Sequence, residues 1–124
     1  MKQTPENLLD FERLRSLAEL TGGNAYRIVD HFTDTLPDRI REIATVVEQR
    51  DASATSALVH QLKGSAANCG FVNLASILGK PRENGVLETA ALEKCAWDSI
   101  DVWKLFMNRE LTKYPDLNKG PAGG

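Results

Sequence analysis

The sequence predicts an all-α fold: an antiparallel four-helix bundle with an additional short N-terminal helix. Apolar residues recur at spacings of three and four along most of the 124 residues. Glycine and proline fall where these segments end, and no segment alternates apolar and polar residues as a strand would. Short connections between amphipathic helices favour antiparallel neighbours. We assign residues 1–116 to one helical domain and residues 117–124 to a disordered tail.

The first two segments are short. Thr4-Pro5-Glu6 has the N-cap residue, first-turn proline and early acid of a helix start, and it opens a helix through Leu8 and Leu9. Asp10 is expected to cap the next helix, and Gly22-Gly23 to end it. The apolar face of that helix is predicted to contain Phe11, Leu14, Leu17, Ala18 and Leu20.

A long helix follows, with Asn24 as its expected cap. Pro37 lies inside it and must either kink the helix or split it, because proline lacks an N–H and crowds the preceding turn. The apolar pattern resumes in phase after Pro37, so we favour a kink, with the helix fraying near Arg50. Its predicted apolar face comprises Ala25, Ile28, Val29, Phe32, Leu36, Ile40, Ile43, Ala44 and Val47.

Asp51 or Ser53 is expected to cap the third helix, which runs to about Cys69 with Gly70 just past its end. This helix carries the residues of chemical interest described below.

Two further helices complete the prediction. A short one spans about Val72 to Leu78, since glycine and Pro81 follow directly. Asn84-Gly85 is a turn signal, and the last helix spans about Leu87 to Lys113. Its predicted apolar positions are Leu92, Cys95, Ala96, Ile100, Trp103, Phe106 and Met107.

Composition excludes several functions. The net charge of −2 provides no broad basic field for nucleic acid. No apolar run reaches a membrane span and the N-terminus lacks a signal-peptide core, so we expect no membrane association and a cytoplasmic location. Cys69 and Cys95 are far apart, lie among apolar residues and have no metal-ligand spacing. We interpret them as buried free thiols.

His60 lies on the polar side of the third helix. At about 100° per residue, Leu58, Leu62, Ser65 and Cys69 cluster roughly opposite it. The pattern therefore predicts a buried Leu62 and an exposed imidazole, which can present a neutral, nucleophilic nitrogen near pH 7.

Lys63 and Gly64 follow His60 at spacings of three and four. Lys63 can offer a positive charge to a phosphoryl oxygen. Glycine destabilises a helix interior by about 1 kcal/mol relative to alanine, so Gly64 indicates a need for space, for a phosphoryl group or for a partner surface. Two simpler interpretations stay open here: a solvated surface histidine, and a glycine that permits close helix–helix packing.

The segment from residue 60 to residue 74 resembles the signature of histidine-containing phosphotransfer (HPt) domains. The matching positions are His60, Leu62, Lys63, Gly64, Ser65, Gly70 and Leu74. The order of helices over about residues 8–113 is also similar to that family. Two departures are Val59, where alanine is frequent, and Gly79-Lys80-Pro81, where the family usually continues the helix.

The resemblance implies that His60 accepts a phosphoryl group from a receiver-domain aspartate and donates it to another. It implies that Lys63 and Gly64 flank the modified ring and that Gln61 or Ser65 helps to orient it. Mg²⁺ would belong to the receiver partner, and this chain itself would need no cofactor. The domain could be free-standing or the C-terminal part of a hybrid sensor kinase.

From the pattern of small residues we expect a docking face around His60 that includes Ala57, Gln61, Ala67 and Asn68, with Lys80 and Arg82 as weaker candidates. Without a glycine-rich phosphate loop, the chain is expected to be a monomeric phosphocarrier rather than a complete, ATP-using enzyme.

Two alternatives remain. One is an HPt-like module that binds a receiver domain or another signalling enzyme without phosphotransfer. The other is a metal- or cofactor-binding bundle that uses His60 and His31, although it lacks the Glu-x-x-His pattern of such sites. We interpret His31 as a surface or boundary residue and Trp103 as core, and we leave Trp97 as potentially half exposed.

Overall fold

The computed structural model of the chain describes residues 8–80 and 87–110. Within these ranges the regular secondary structure is entirely helical, which confirms the predicted fold class. The helices bounded within the described residues are α1 (Phe11–Thr21), α2 (Asn24–Glu48), α3 (Ala52–Asn68), α4 (Val72–Gly79) and α5 (Thr89–Glu110). The predicted helix start at Thr4-Pro5-Glu6, the Asn84-Gly85 turn, Arg82, Lys113 and the tail at 117–124 lie outside the described residues.

Side-chain caps and left-handed residues set the helix ends. The carboxylate of Asp10 accepts a hydrogen bond from the Arg13 amide at 3.0 Å, and that of Asp51 accepts one from the Ala54 amide at 3.0 Å. Each bond satisfies an amide that has no partner inside the helix, so both caps are as predicted. Gly22 follows α1 with φ of 64°, a conformation that favours glycine.

α2 differs from the prediction at its start. Gly23, with φ of 91°, is the N-cap, and Asn24 is the first helical residue, without a side-chain cap. The helix continues through Pro37, so the alternative of two separate helices is wrong. At the helix end Arg50 takes a φ of 58°, which turns the chain into α3.

Two residues predicted as apolar-face positions are instead exposed. Leu20 is 83% exposed and Ile28 is 62% exposed. Leu20 lies about 140° around α1 from the centre of the Leu14–Ala18 face, so it cannot share that face. In the first turn of α2, Tyr26 is buried, with 1% exposed, whereas Ile28 lies on the flank of the buried face.

α2, α3, α4 and α5 form the bundle: each contacts the next along the chain, and α5 closes the ring on α2. Tyr26, early in α2, makes edge-to-face contacts with Trp103 and Phe106, late in α5. Toward the end of α2 and the start of α5, Ala44 and Glu93 line the same small cleft. The two helices therefore run antiparallel.

α1 packs on α2 and lies against the turn between α3 and α4. The Asp10 amide donates to the Gly70 carbonyl at 2.9 Å. Gly70 has a φ of 78°, a conformation that favours glycine, and a Cβ there would press on Leu14 at 3.2 Å. Phe11 stacks on Phe106 with ring centroids 5.0 Å apart. Residues before and within α1 thus complete one end of the core.

The two tryptophans and the two cysteines lie as the sequence indicated. Trp103 is fully buried, and its indole N–H donates to the Asp30 carboxylate at 3.0 Å, while Trp97 is 49% exposed. Cys69 and Cys95 are buried free thiols. Burial raises the pKa of both thiols.

Candidate functional site

α3 presents His60 to solvent. The buried residues of this helix, continued by its C-cap, are Thr55, Val59, Leu62, Ala66 and Cys69. His60 is exposed, as predicted. The core stripe is rotated from the predicted one, because Leu58 and Ser65 are only half-buried flanking residues while Val59 and Ala66 point inward.

Gly64 lies at the centre of the exposed face of α3. It is roughly 180° around the helix from the middle of the buried stripe, and His60 is one turn before it. A Cβ built on Gly64 would meet nothing within 4 Å, outside its own helix backbone and chain neighbours. Gly64 is also absent from the glycines with positive φ. The interpretation that Gly64 permits close helix–helix packing is therefore wrong: neither the backbone nor the interior of the described bundle needs glycine there.

Lys63 lies on the flank of α3 that faces α4. A Cβ built on Gly79, the last residue of α4, would meet the Lys63 Cε at 3.0 Å and its Nζ at 3.2 Å. The aliphatic part of the Lys63 side chain therefore passes over the end of α4 at Gly79, which has no side chain. The sequence indicates Gly79 only as a helix end, because the periodicity of one helix does not reveal which residues of another helix it contacts.

The other proposed residues fall at different places. Gln61, Ala67 and Asn68 are exposed, with Ala67 and Asn68 one turn beyond Gly64. Ser65 is half-buried and lies about 140° around the helix from His60, on the opposite flank from Lys63. The structure therefore brings His60, Gly64, Ala67 and Asn68 onto one surface and leaves Ser65 off it.

The remaining exposed candidates lie apart from this surface or at its edge. His31 is an exposed residue of α2, as expected. Lys80 is exposed directly after α4. Ala57 is exposed one turn before His60 and extends the small-residue surface toward the start of α3.

Neither a metal-binding cluster nor a membrane-spanning helix occurs in the described ranges. Over residues 8–80 and 87–110, no three histidine, cysteine or acidic side chains come close enough together to hold a metal ion. Among the helices of the same residues, none has an apolar stretch that could cross a lipid bilayer.

Comparison with known proteins identifies the family. The Hpt domain family model matches residues 27–109, which run from the first turn of α2 almost to the end of α5. A search of curated proteins and a search of solved structures each returned no match. The family match covers more than half of the chain and agrees with the all-helical fold. The chain therefore belongs to the Hpt domain family, whose members serve phosphotransfer in phosphorelays and interact with receiver domains.

Proposed function

We propose that His60 is the phosphoryl-accepting residue and that this domain relays the group from one receiver-domain aspartate to another. The observation that carries the proposal is the pairing of an exposed imidazole with Gly64, a helix-interior glycine beside open space. A helix tolerates such a glycine at about 1 kcal/mol. Since nothing in the described molecule uses the space, a visiting partner is the best reason for it.

The proposed step is an in-line exchange. The lone pair of an unprotonated imidazole nitrogen of His60 attacks the phosphorus of an aspartyl phosphate. An N–P bond forms, the O–P bond to the aspartate breaks, and the receiver carboxylate leaves with the electron pair. The proton on the other ring nitrogen can then pass to water. Transfer to the second receiver reverses these bond changes, with a new carboxylate as nucleophile. Catalysis rests on positioning and on charge stabilisation.

Lys63 is proposed to stabilise the phosphoryl group. Lys63 is one helical turn after His60, and its ammonium makes no hydrogen bond or ion pair with another described residue. Charge-assisted contacts to phosphoryl oxygens are therefore open to it. The Mg²⁺ that neutralises further charge is expected on the receiver domain.

The docking surface is proposed to be the exposed face of α3. Small side chains dominate it, so a partner backbone can come close to the imidazole ring. Its members are Ala57, His60, Gln61, Gly64, Ala67 and Asn68. Ser65, on the flank, is a weaker candidate for a supporting role.

The test uses a receiver domain phosphorylated on its aspartate. Label is expected to pass to this chain as acid-labile, base-stable phosphate, and a His60→Gln variant should accept none. His31→Gln is the matched control, because it removes the other exposed histidine of the described residues and should leave transfer intact. Label on the His60→Gln variant would overturn the assignment. Binding of the receiver by the wild-type chain without transfer would favour the alternative of a pure interaction module.

A further inference from the structure

Gly79 is the last residue of α4, and its backbone conformation does not require glycine. The described glycines with positive φ are Gly22, Gly23 and Gly70, so the conformation at Gly79 is open to any L-residue. Alanine would be favoured over glycine at the end of a helix with ordinary dihedral angles. The reason for glycine must therefore lie in its surroundings.

Those surroundings are the side chain of Lys63. The three atoms nearest to a Cβ at Gly79 would be its Cε at 3.0 Å, Nζ at 3.2 Å and Cδ at 3.6 Å. All three belong to the outer half of the lysine and none to backbone. A Cβ at residue 79 would thus contact the lysine more tightly than Cβ atoms usually do, and the flexible end of the lysine would have to shift away by a few tenths of an ångström.

The end of α4 also attracts the ammonium. The last carbonyls of a helix lack partners inside it and carry the negative end of the helix dipole. The amide of Lys80, directly after α4, donates to the Ile77 carbonyl at 3.3 Å, which satisfies only one of these carbonyls. The dipole therefore favours a cation at this end, but the Lys63 ammonium makes no hydrogen bond with a described residue and so stays available to a phosphoryl group.

We propose that Gly79 is a positioning residue for phosphotransfer: by lacking a side chain, it lets the Lys63 ammonium rest over the end of α4, on the α4 side of His60. The inference rests on the proposed function of His60. It assigns Gly79 no contact with the phosphoryl group, and its effect passes entirely through Lys63.

The test is a double-mutant cycle of Gly79→Ala, Lys63→Ala and the double variant, all assayed with the same phosphorylated receiver. Gly79→Ala is expected to lower the maximal transfer rate about threefold to fivefold, because it displaces the exposed Lys63 ammonium, whose interactions are weakened by water. The half-saturating receiver concentration should change little. In the Lys63→Ala background the same substitution should change nothing. Ser76→Ala, at an exposed position of the same helix, is the control and should transfer at the wild-type rate.

Two results of the transfer assay would overturn the inference while leaving the proposed function standing. One is a Gly79→Ala variant that transfers at the wild-type rate. The other is a Gly79→Ala defect of equal size with and without Lys63. The contact itself is tested without phosphate, by a nuclear Overhauser effect between the Lys63 ε-protons and the Gly79 α-protons in the wild-type chain, and its absence would also refute the inference. A wild-type chain that accepts no phosphoryl group refutes the proposed function instead.

Discussion

Replacing Gly64 by alanine should stabilise the domain. The residue is in the interior of α3, its φ is not left-handed, and an added Cβ would meet nothing within 4 Å. The substitution therefore gains helix propensity without a clash, worth about 0.8 kcal/mol. With an unfolding entropy of about 2.1 cal/mol/K per residue over the roughly 100 residues that the structure describes, Tm should rise by about 4 °C.

The same methyl group should slow phosphotransfer. It would stand at the centre of the exposed face of α3, one turn from His60, where the receiver domain is proposed to dock. An extra carbon in a closely fitted contact destabilises it by about 1–3 kcal/mol, which corresponds to a rate loss of at least about fivefold. The variant should thus gain stability and lose function, a combination that general damage to the fold cannot produce.

Stability is measured by thermal and urea unfolding followed by tryptophan fluorescence, to which the buried Trp103 contributes. Transfer is measured with a phosphorylated receiver under single-turnover conditions. Gly22→Ala is the matched control: it also faces open space, but its φ of 64° should make alanine destabilising. The reasoning is refuted if Gly64→Ala is less stable than the wild type, or if it is stabilised and transfers at an undiminished rate.

Three further predictions concern the scaffold. Leu62→Ala removes a side chain that is 1% exposed and should lower the free energy of unfolding by about 2–5 kcal/mol; a loss below about 1 kcal/mol in urea titration would contradict the described core. Asp51→Ala should cost about 1 kcal/mol through the lost bond to the Ala54 amide, whereas Asp51→Asn should cost little; equal losses in the two variants would argue against capping. Because burial raises the pKa of the Cys69 and Cys95 thiols, both should carry less thiolate at pH 8 than a free cysteine and react slowly with a disulfide reagent until urea is added; the rate should increase as pH rises, and rapid labelling of the native chain would contradict their burial.

Helical periodicity predicted side-chain exposure correctly where the geometry of a single helix determines it. The exposure of His60 and the burial of Leu62 both follow from one period of about 3.6 residues, whichever helices surround α3. The caps at Asp10 and Asp51 were equally local, because each carboxylate bonds an amide three residues on.

The features that the sequence could not supply depend on neighbours. Ile28 lies on the flank of the buried face of α2, and the positions of the adjacent helices leave it exposed. Leu20 is different, because the helical period alone places it about 140° from the buried face of α1. The contact between Lys63 and Gly79 joins residues of two helices, so neither segment predicts it alone. For Gly64 the sequence left helix packing as an alternative, and only the open space beside its Cα removed it.

The docking of α1 has a practical consequence for the limits of the domain. The family match begins at residue 27, whereas α1 ends at Thr21 and buries Leu14 against Gly70 and Phe11 against Phe106. A fragment trimmed to the matched range would lack α1. The Phe106 ring and the turn between α3 and α4 would then be more exposed to water. We therefore expect a stably folded form of this protein to need residues upstream of the region by which its family is recognised.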